Sequence, residues 1–537
     1  MGRSLRCVLP AQSRSTRALA GSGIVGFLMI RRRMVPFASL AVVGALLLGG
    51  CVGSPQTVRD PEVAPAGLEE FYGQSVDWQD CESDGLECAT ISAPVDYSDP
   101  TAGATELAVI RATSDSPARI GSLLMNPGGP GGSGYDFIAQ SVDYVADEAL
   151  RESYDIVGWD PRGVGRSAPV TCYGPAEMDE YLYGVSTNPV GSDAWLEERA
   201  ADAVAFAAAC EANTGDLLGH VDAASTARDM DLLRALVGDA KLNYLGFSYG
   251  TVFGTEYAEL FPDNVGRLVL DGAVDPALPQ TTVFPTQMAG FDGAYRSFLE
   301  YCVAQDGCPF DGPAETAAAQ SSALFAGVDA RALQATDGRQ LTSPTLGTAL
   351  AYPLYDEGSW DSLIAMLVAL EEGDPDPAFE FADGYNGRLP DGSYDGNSTE
   401  LYTAALCLDG AYSSDLAGTR AGLDAIAAAA PITGSYLAYS DWVLVDTACQ
   451  AWPHGPVLVA EPASAAGAAP ILVVGTTNDP ATPYSWAQAL ASQLASGVLV
   501  TRQGEGHTAY ARGNACIDDT VDAFLVDGVV PEPDPLC

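Results

Sequence analysis

The sequence predicts an α/β protein: a mostly parallel sheet covered by helices and interrupted once by a large helical insertion. Three observations carry that prediction. Short β-rich runs alternate with glycine turns and helical stretches from about residue 121 to residue 276. The alternation stops near Pro276, and residues 277–455 are alanine-rich with few strand signals. It resumes at Pro470-Ile-Leu-Val-Val and runs to the carboxyl terminus.

The 537 residues include 25 Lys+Arg, 71 Asp+Glu, 12 Cys and three His. Seven of the basic residues are arginines within residues 1–50, so the rest of the chain has 18 basic against 71 acidic side chains. Such a surface repels phosphate backbones and anionic lipid heads, which excludes nucleic acid as a partner. Nearly half the residues are apolar, enough for a large core.

Residues 1–50 read as a lipoprotein-type signal. Arg31–Arg33 precede an uncharged apolar run from Val35 to Leu48, followed by Gly49-Gly50-Cys51. The order resembles a bacterial lipobox, with Cys51 as the lipidated new first residue, and Met29 would give a signal of ordinary length. This predicts an exported chain held at the outer face of the bacterial cell membrane only through its lipid. Residues 51–74, rich in Pro, Ala and Glu, then form a tether.

Cysteine usage agrees with export. Setting aside Cys7 and Cys51 leaves ten, and nearest-neighbour pairing gives 81–88, 172–210, 302–308, 407–449 and 516–537. No C-x-x-C occurs, so a structural zinc site is not expected.

An antiparallel pair opens the core (residues 75–276), with runs at Cys88–Ser92 and Leu107–Arg111. Parallel strands follow at Gly121–Met125, Tyr154–Trp159, Leu242–Leu245 and Arg267–Leu270. Helices are expected over Thr226–Val237, from Tyr249 to Leu260, and over Ser362–Glu372 in the insertion. The closing part, 456–537, holds a strand at 471–474, a helix near Ser485–Leu494, a strand at Gly497–Thr501 and a helix near Cys516–Val526.

Chemistry concentrates at the turns. Gly246-Phe-Ser248-Tyr-Gly250 fits G-x-S-x-G between a strand and a helix, where a tight turn pushes a nucleophilic serine outward. Asn126-Pro-Gly-Gly-Pro-Gly-Gly-Ser-Gly134 follows an earlier strand and suits an oxyanion hole, built from the amides of Gly129 and Tyr249. The same loop satisfies G-x-G-x-x-G, with Asp160 downstream, but Pro130 removes an amide that a pyrophosphate would need. Of the three histidines, His507 follows the last strand and is the expected base; His220 and His454 are alternatives. Asp479 ends a strand between serine and histidine in the chain and is the expected orienting acid, with Asp271 as its competitor.

Taken together, N-P-G-G-P-G-G-S-G, D-P-R-G-V-G-R-S, Y-L-G-F-S-Y-G-T, T-N-D-P-A-T-P and G-E-G-H-T resemble the secreted bacterial tripeptidyl aminopeptidases. These belong to the proline-iminopeptidase-like branch of the α/β-hydrolases. The resemblance spans residues 75–537, its last part resembling a TAP-like domain. It implies an α/β-hydrolase fold, a Ser248–Asp479–His507 triad, a cap formed by 277–455, and a structural loop holding Asp160 and Arg162. Asn126-Pro127 departs from the His-Gly of related enzymes. The expected substrate is a peptide with a free amino terminus, or else a small acyl ester, since some relatives are carboxylesterases. A catalytically silent surface binding protein is the reading from another class. An aminopeptidase must neutralise an α-ammonium, and Asp356, Glu357 and Asp361 of the cap are candidates. The Asn397-Ser-Thr sequon carries no weight in a bacterial chain. No cofactor or metal is implied.

Overall fold

The computed structural model describes residues 64–83, 85–532 and 534–537. The predicted signal, Cys51 and most of the tether lie outside the described residues. Within the described residues a nine-stranded sheet runs through the molecule. Its strands are β1 (Gln79–Asp80), β2 (Leu86–Pro94), β3 (Ala104–Ala112), β4 (Gly121–Asn126), β5 (Tyr154–Trp159), β6 (Leu242–Phe247), β7 (Val265–Asp271), β8 (Ile471–Asn478) and β9 (Gly497–Glu505). The spatial order is β1-β2-β3-β5-β4-β6-β7-β8-β9. The first three strands and the β3–β5 pair are antiparallel, and from β5 to β9 every pairing is parallel. This is the α/β-hydrolase architecture the sequence predicts.

Continuous apolar runs make the central strands because both faces are covered. All of β4 and β5 is buried. Leu123 and Met125 pack on one side with Ile138, Ile517 and Phe524 from the helices Gly134–Val145 and Ala515–Asp527. Leu124 faces the other side, with Met230, Leu233 and Phe253 from the helices Ala223–Leu236 and Gly250–Leu260. The open edge at β9 is closed by the carboxyl terminus, where Thr501 bridges to Leu536.

The chain passes β4, moves to β5, and then crosses back over β4 to reach β6, so the order in which strands are added reverses between β5 and β6. Crevices open at the carboxyl ends of strands at such a point. Asn126, Phe247, Asp271, Asn478 and Glu505 all end strands there. Between β7 and β8 the described residues form ten α-helices, from Gln280–Cys302 to Trp442–Ala451. A second excursion was not expected. Pro175–Tyr183 and Asp193–Thr214, read as part of the core, leave the sheet after β5, and the longer helix packs on Trp442–Ala451 of the insertion. The five expected disulfides are all formed, and Cys172–Cys210 ties this excursion to its own base.

Arg162 ties the loop after β5 to the end of β2 and to the helix Ala223–Leu236. Its guanidinium is fully buried and meets Asp229 twice at 2.7 Å, while also donating to the carbonyls of Pro94, Val95 and His220. Asp229 takes the Tyr97 hydroxyl as well. Arg162→Ala would leave a buried carboxylate uncompensated, and the expected loss is about 3–5 kcal/mol of unfolding free energy, measurable by denaturant titration.

Candidate active site

Ser248 sits at the turn from β6 into the helix Gly250–Leu260, with φ +53°. A non-glycine residue in that region is strained and persists only where its surroundings fix it. Here the Ser248 amide donates to the Asp271 carbonyl at 2.8 Å, and the Ser248 carbonyl accepts from the amide and hydroxyl of Thr251. The flanking glycines are dictated by space. A Cβ on Gly246 would lie 2.5 Å from the Tyr244 ring, and one on Gly250 3.0 Å from the Asn126 carbonyl oxygen.

The glycine loop after β4 lies against this turn. Asn126 Oδ1 accepts from the Gly128 amide at 2.9 Å, and the Gly132 amide closes on the Gly128 carbonyl. A Cβ on Gly128 would sit 2.4 Å from the Phe247 carbonyl oxygen and 2.9 Å from the Tyr249 nitrogen, so only glycine allows the approach. Asp160 fastens the far end of the loop by accepting from the Ser133 hydroxyl and the Tyr135 and Arg166 amides. These bonds commit Asp160 to structure, with no dinucleotide role.

His507 lies in the turn after β9, buried, with Asp479 behind it. Nδ1 is 2.9 and 3.0 Å from the two Asp479 oxygens. An ionised carboxylate only accepts, so Nδ1 carries the hydrogen and Nε2 is left with a lone pair. The carboxylate is itself held by the amides of Ala481, Thr482 and Thr508 and by the Thr482 hydroxyl. The insertion adds a further restraint. The His507 amide donates to the Tyr355 carbonyl at 2.9 Å, and the Tyr355 ring stands edge-on to the imidazole at 5.3 Å.

Asp271, the competing acid, does not meet His507. Its buried carboxylate accepts from the amides of Ala509 and Tyr510 and so anchors the chain just past the histidine. Burial pushes it up to about 6, against the pull of those amides. His220 and His454 lie elsewhere: neither lines the cavity described next, and His454 packs on Gly219.

Ser248, His507 and Gly129 share the wall of one cavity of about 730 Å³, roofed by the insertion and by the excursion after β5. Its size is within the usual range for small-molecule sites, ~300–1,000 Å³. The three cap carboxylates expected to meet an ammonium are not part of its wall. Asp356 caps a short 3₁₀ turn by accepting from Gly358, Asp361 takes the Tyr301 hydroxyl, and Glu357 belongs to that same turn. They mark a helix start at the surface, where acidic residues complement the dipole.

The wall instead holds Asp441, at the start of the helix Trp442–Ala451. Tyr402 donates its hydroxyl to Oδ1 at 2.9 Å. Tyr355, Tyr385 and Tyr412 feel its charge, and desolvation pushes its carboxyl up to about 6. Nothing in the local sequence marks Asp441, one acid among many in an alanine-rich region. The sequon asparagine is also explained. Its amide donates to the Gly163 and Val170 carbonyls and its oxygen accepts from Gly165, stapling insertion to core.

Residues 435–537 match the family described as TAP-like protein. Serine protease Hip1 of Mycobacterium tuberculosis is 34% identical over 536 residues, covering 95% of this chain and 98% of that protein. The chain belongs to the TAP-like α/β-hydrolases. Carboxylesterase B of Mycobacterium tuberculosis, also 34% identical, is matched over 94% of this chain and 98% of its own length. A tripeptidyl aminopeptidase of Streptomyces lividans is 29% identical over 95% of this chain and 98% of its own. The TAP-like match begins at residue 435, inside the helical insertion, so it takes in Asp441 as well as Asp479 and His507. Membership makes the chain a serine hydrolase of this family, while the relatives' names divide between peptide and ester substrates.

Proposed function

We propose that the protein is an exported, lipid-anchored aminopeptidase that releases short peptides from free amino termini through an acyl-enzyme on Ser248. The leader ending at Cys51 and the five disulfides support export into an oxidising compartment. His507 Nε2 takes the proton from Ser248 as its oxygen attacks the scissile carbonyl. Asp479 stabilises the imidazolium, and the amides of Tyr249 and Gly129 receive the oxyanion. The histidine then protonates the leaving amine and later activates the water that frees the acyl group.

The observation that carries the peptidase reading is Asp441. A desolvated carboxylate such as Asp441 is costly to ionise unless a cation meets it. An α-ammonium supplies that cation, with the Tyr355, Tyr385 and Tyr402 rings around it, whereas a neutral acyl ester supplies none.

The reading is tested with a tripeptidyl anilide and its N-acetylated counterpart. Loss of a buried charge pair costs about 2–5 kcal/mol, so blocking should lower kcat/KM thirtyfold or more. Asp441→Asn should erase that preference. The pH dependence has a defined sign. Asp441 is ionised above about 6 and protonated below it, so KM for the free peptide should rise as pH falls through that value. In Asp441→Asn that limb should vanish. Equal rates on blocked and free peptides, with faster turnover of short-chain esters, would assign the site to ester hydrolysis instead.

A further inference from the structure

The residue after the nucleophile is tied to the insertion. Tyr249 is buried, its ring edge-on to Phe253 at 5.4 Å, and its hydroxyl donates to Asp409 Oδ2. Asp409 immediately follows the insertion helix Ser398–Leu408. Two features fix that helix end. Cys407 is bonded to Cys449, and the Leu408 carbonyl accepts from the amides of Val457 and Leu458.

Asp409 also reaches the core. Both of its oxygens accept from the Ala223 amide, at 2.9 and 3.2 Å, at the start of the helix Ala223–Leu236. One carboxylate therefore joins the insertion, a core helix and the nucleophile turn. Burial and the neighbouring Asp222 push it well above the usual carboxylate range, against the pull of the Tyr249 hydroxyl and the Ala223 amide.

The Ser248–Tyr249 peptide is the point at which this matters. Its N–H direction follows from the strained turn at Ser248 and from Tyr249, whose φ is −58° and whose side chain is pinned. On the other side lies Gly128, whose added Cβ would be 2.9 Å from the Tyr249 nitrogen. An amide aimed at a developing oxyanion has little angular tolerance. We propose that Asp409 is a positioning residue for hydrolysis, holding the Tyr249 phenol so that the Tyr249 amide points at the oxyanion. Asp409 touches no reacting atom; it acts through Tyr249. The proposal rests on the reading of Ser248 as nucleophile.

The test compares Tyr249→Phe, Asp409→Asn and the double variant with wild type and with Ser248→Ala, on a tripeptidyl anilide. Each single variant should lower kcat about tenfold with KM little changed, and the double variant should be no slower than the slower single one. Tyr249→Phe removes a single oxygen and leaves Asp409 its Ala223 amide, so the variant should fold with a modestly lowered thermal midpoint, and it alone decides the matter if Asp409→Asn does not fold. Wild-type kcat in Tyr249→Phe, with Ser248→Ala inactive, would overturn the positioning role and leave the nucleophile standing. Multiplicative losses in the double variant, or a fall in kcat that only tracks a lowered thermal midpoint, would overturn it too. A fully active Ser248→Ala would instead remove the nucleophile reading, and the proposal with it.

Discussion

Asp479→Asn is expected to lower kcat by about three to four orders of magnitude while leaving the fold intact. An asparagine fits the same space and can still accept from the Ala481 and Thr482 amides. It cannot accept at both atoms, however. If its amide nitrogen faces His507, the ring must present a lone pair at Nδ1 and place its hydrogen on Nε2, the wrong tautomer for a base. If its oxygen faces His507, the amide nitrogen is turned toward the Thr508 N–H, which donates to Oδ2 at 3.2 Å. Either way the imidazolium formed during attack loses its counter-charge. Steady-state kinetics checks the result, and KM should move far less than kcat. Asp271→Asn gives the contrast. Its carboxylate meets two backbone amides and not the ring, so that substitution should act mainly on stability and on the loop carrying His507.

Ser248→Ala is expected to have the largest effect, a fall in kcat of roughly a millionfold, to the level that binding and the amide donors alone sustain. Structurally the change is mild. Alanine also tolerates the turn poorly, but the hydrogen bonds that fix it come from the Ser248 backbone and from Thr251, not from the hydroxyl. Inactivity with an unchanged thermal transition would therefore report lost chemistry. Because Ser248 and His507 face the same cavity, substrate binding should survive in this variant. Calorimetry with a tripeptide would show it, and the same titration of Asp441→Asn should lose the binding heat.

The sheet was legible because its signals are local. Apolar runs such as Leu123–Met125 and Ile471–Val474 are buried on both faces, and glycine turns follow them where the chain must leave the sheet. For the same reason Ser248, Asp479 and His507 could be placed at strand ends from chain order alone. The helical excursion at Pro175–Thr214 was not legible as part of the cavity, since a helix carries no mark of which layer it will pack on. Asp441 and Asp409 were hidden for a related reason. Each lies beside a helix end in the insertion, and each acquires its role through a tyrosine distant in sequence or by burial. Asp356, Glu357 and Asp361 looked more promising because they cluster, yet clustering near a helix start is what solvent and the helix dipole favour. The sequence pattern reports charge density, while the proposed ammonium site depends on an acid that lines the cavity beside tyrosine rings.

The measurement closest to the central claim is covalent labelling by a fluorophosphonate, with the modified residue located by peptide mass spectrometry. One adduct per chain on Ser248, absent from Ser248→Ala and strongly slowed in Asp479→Asn, is the expected result. Stoichiometric labelling at another residue, or an unlabelled wild-type protein that still hydrolyses its substrate, would contradict the account.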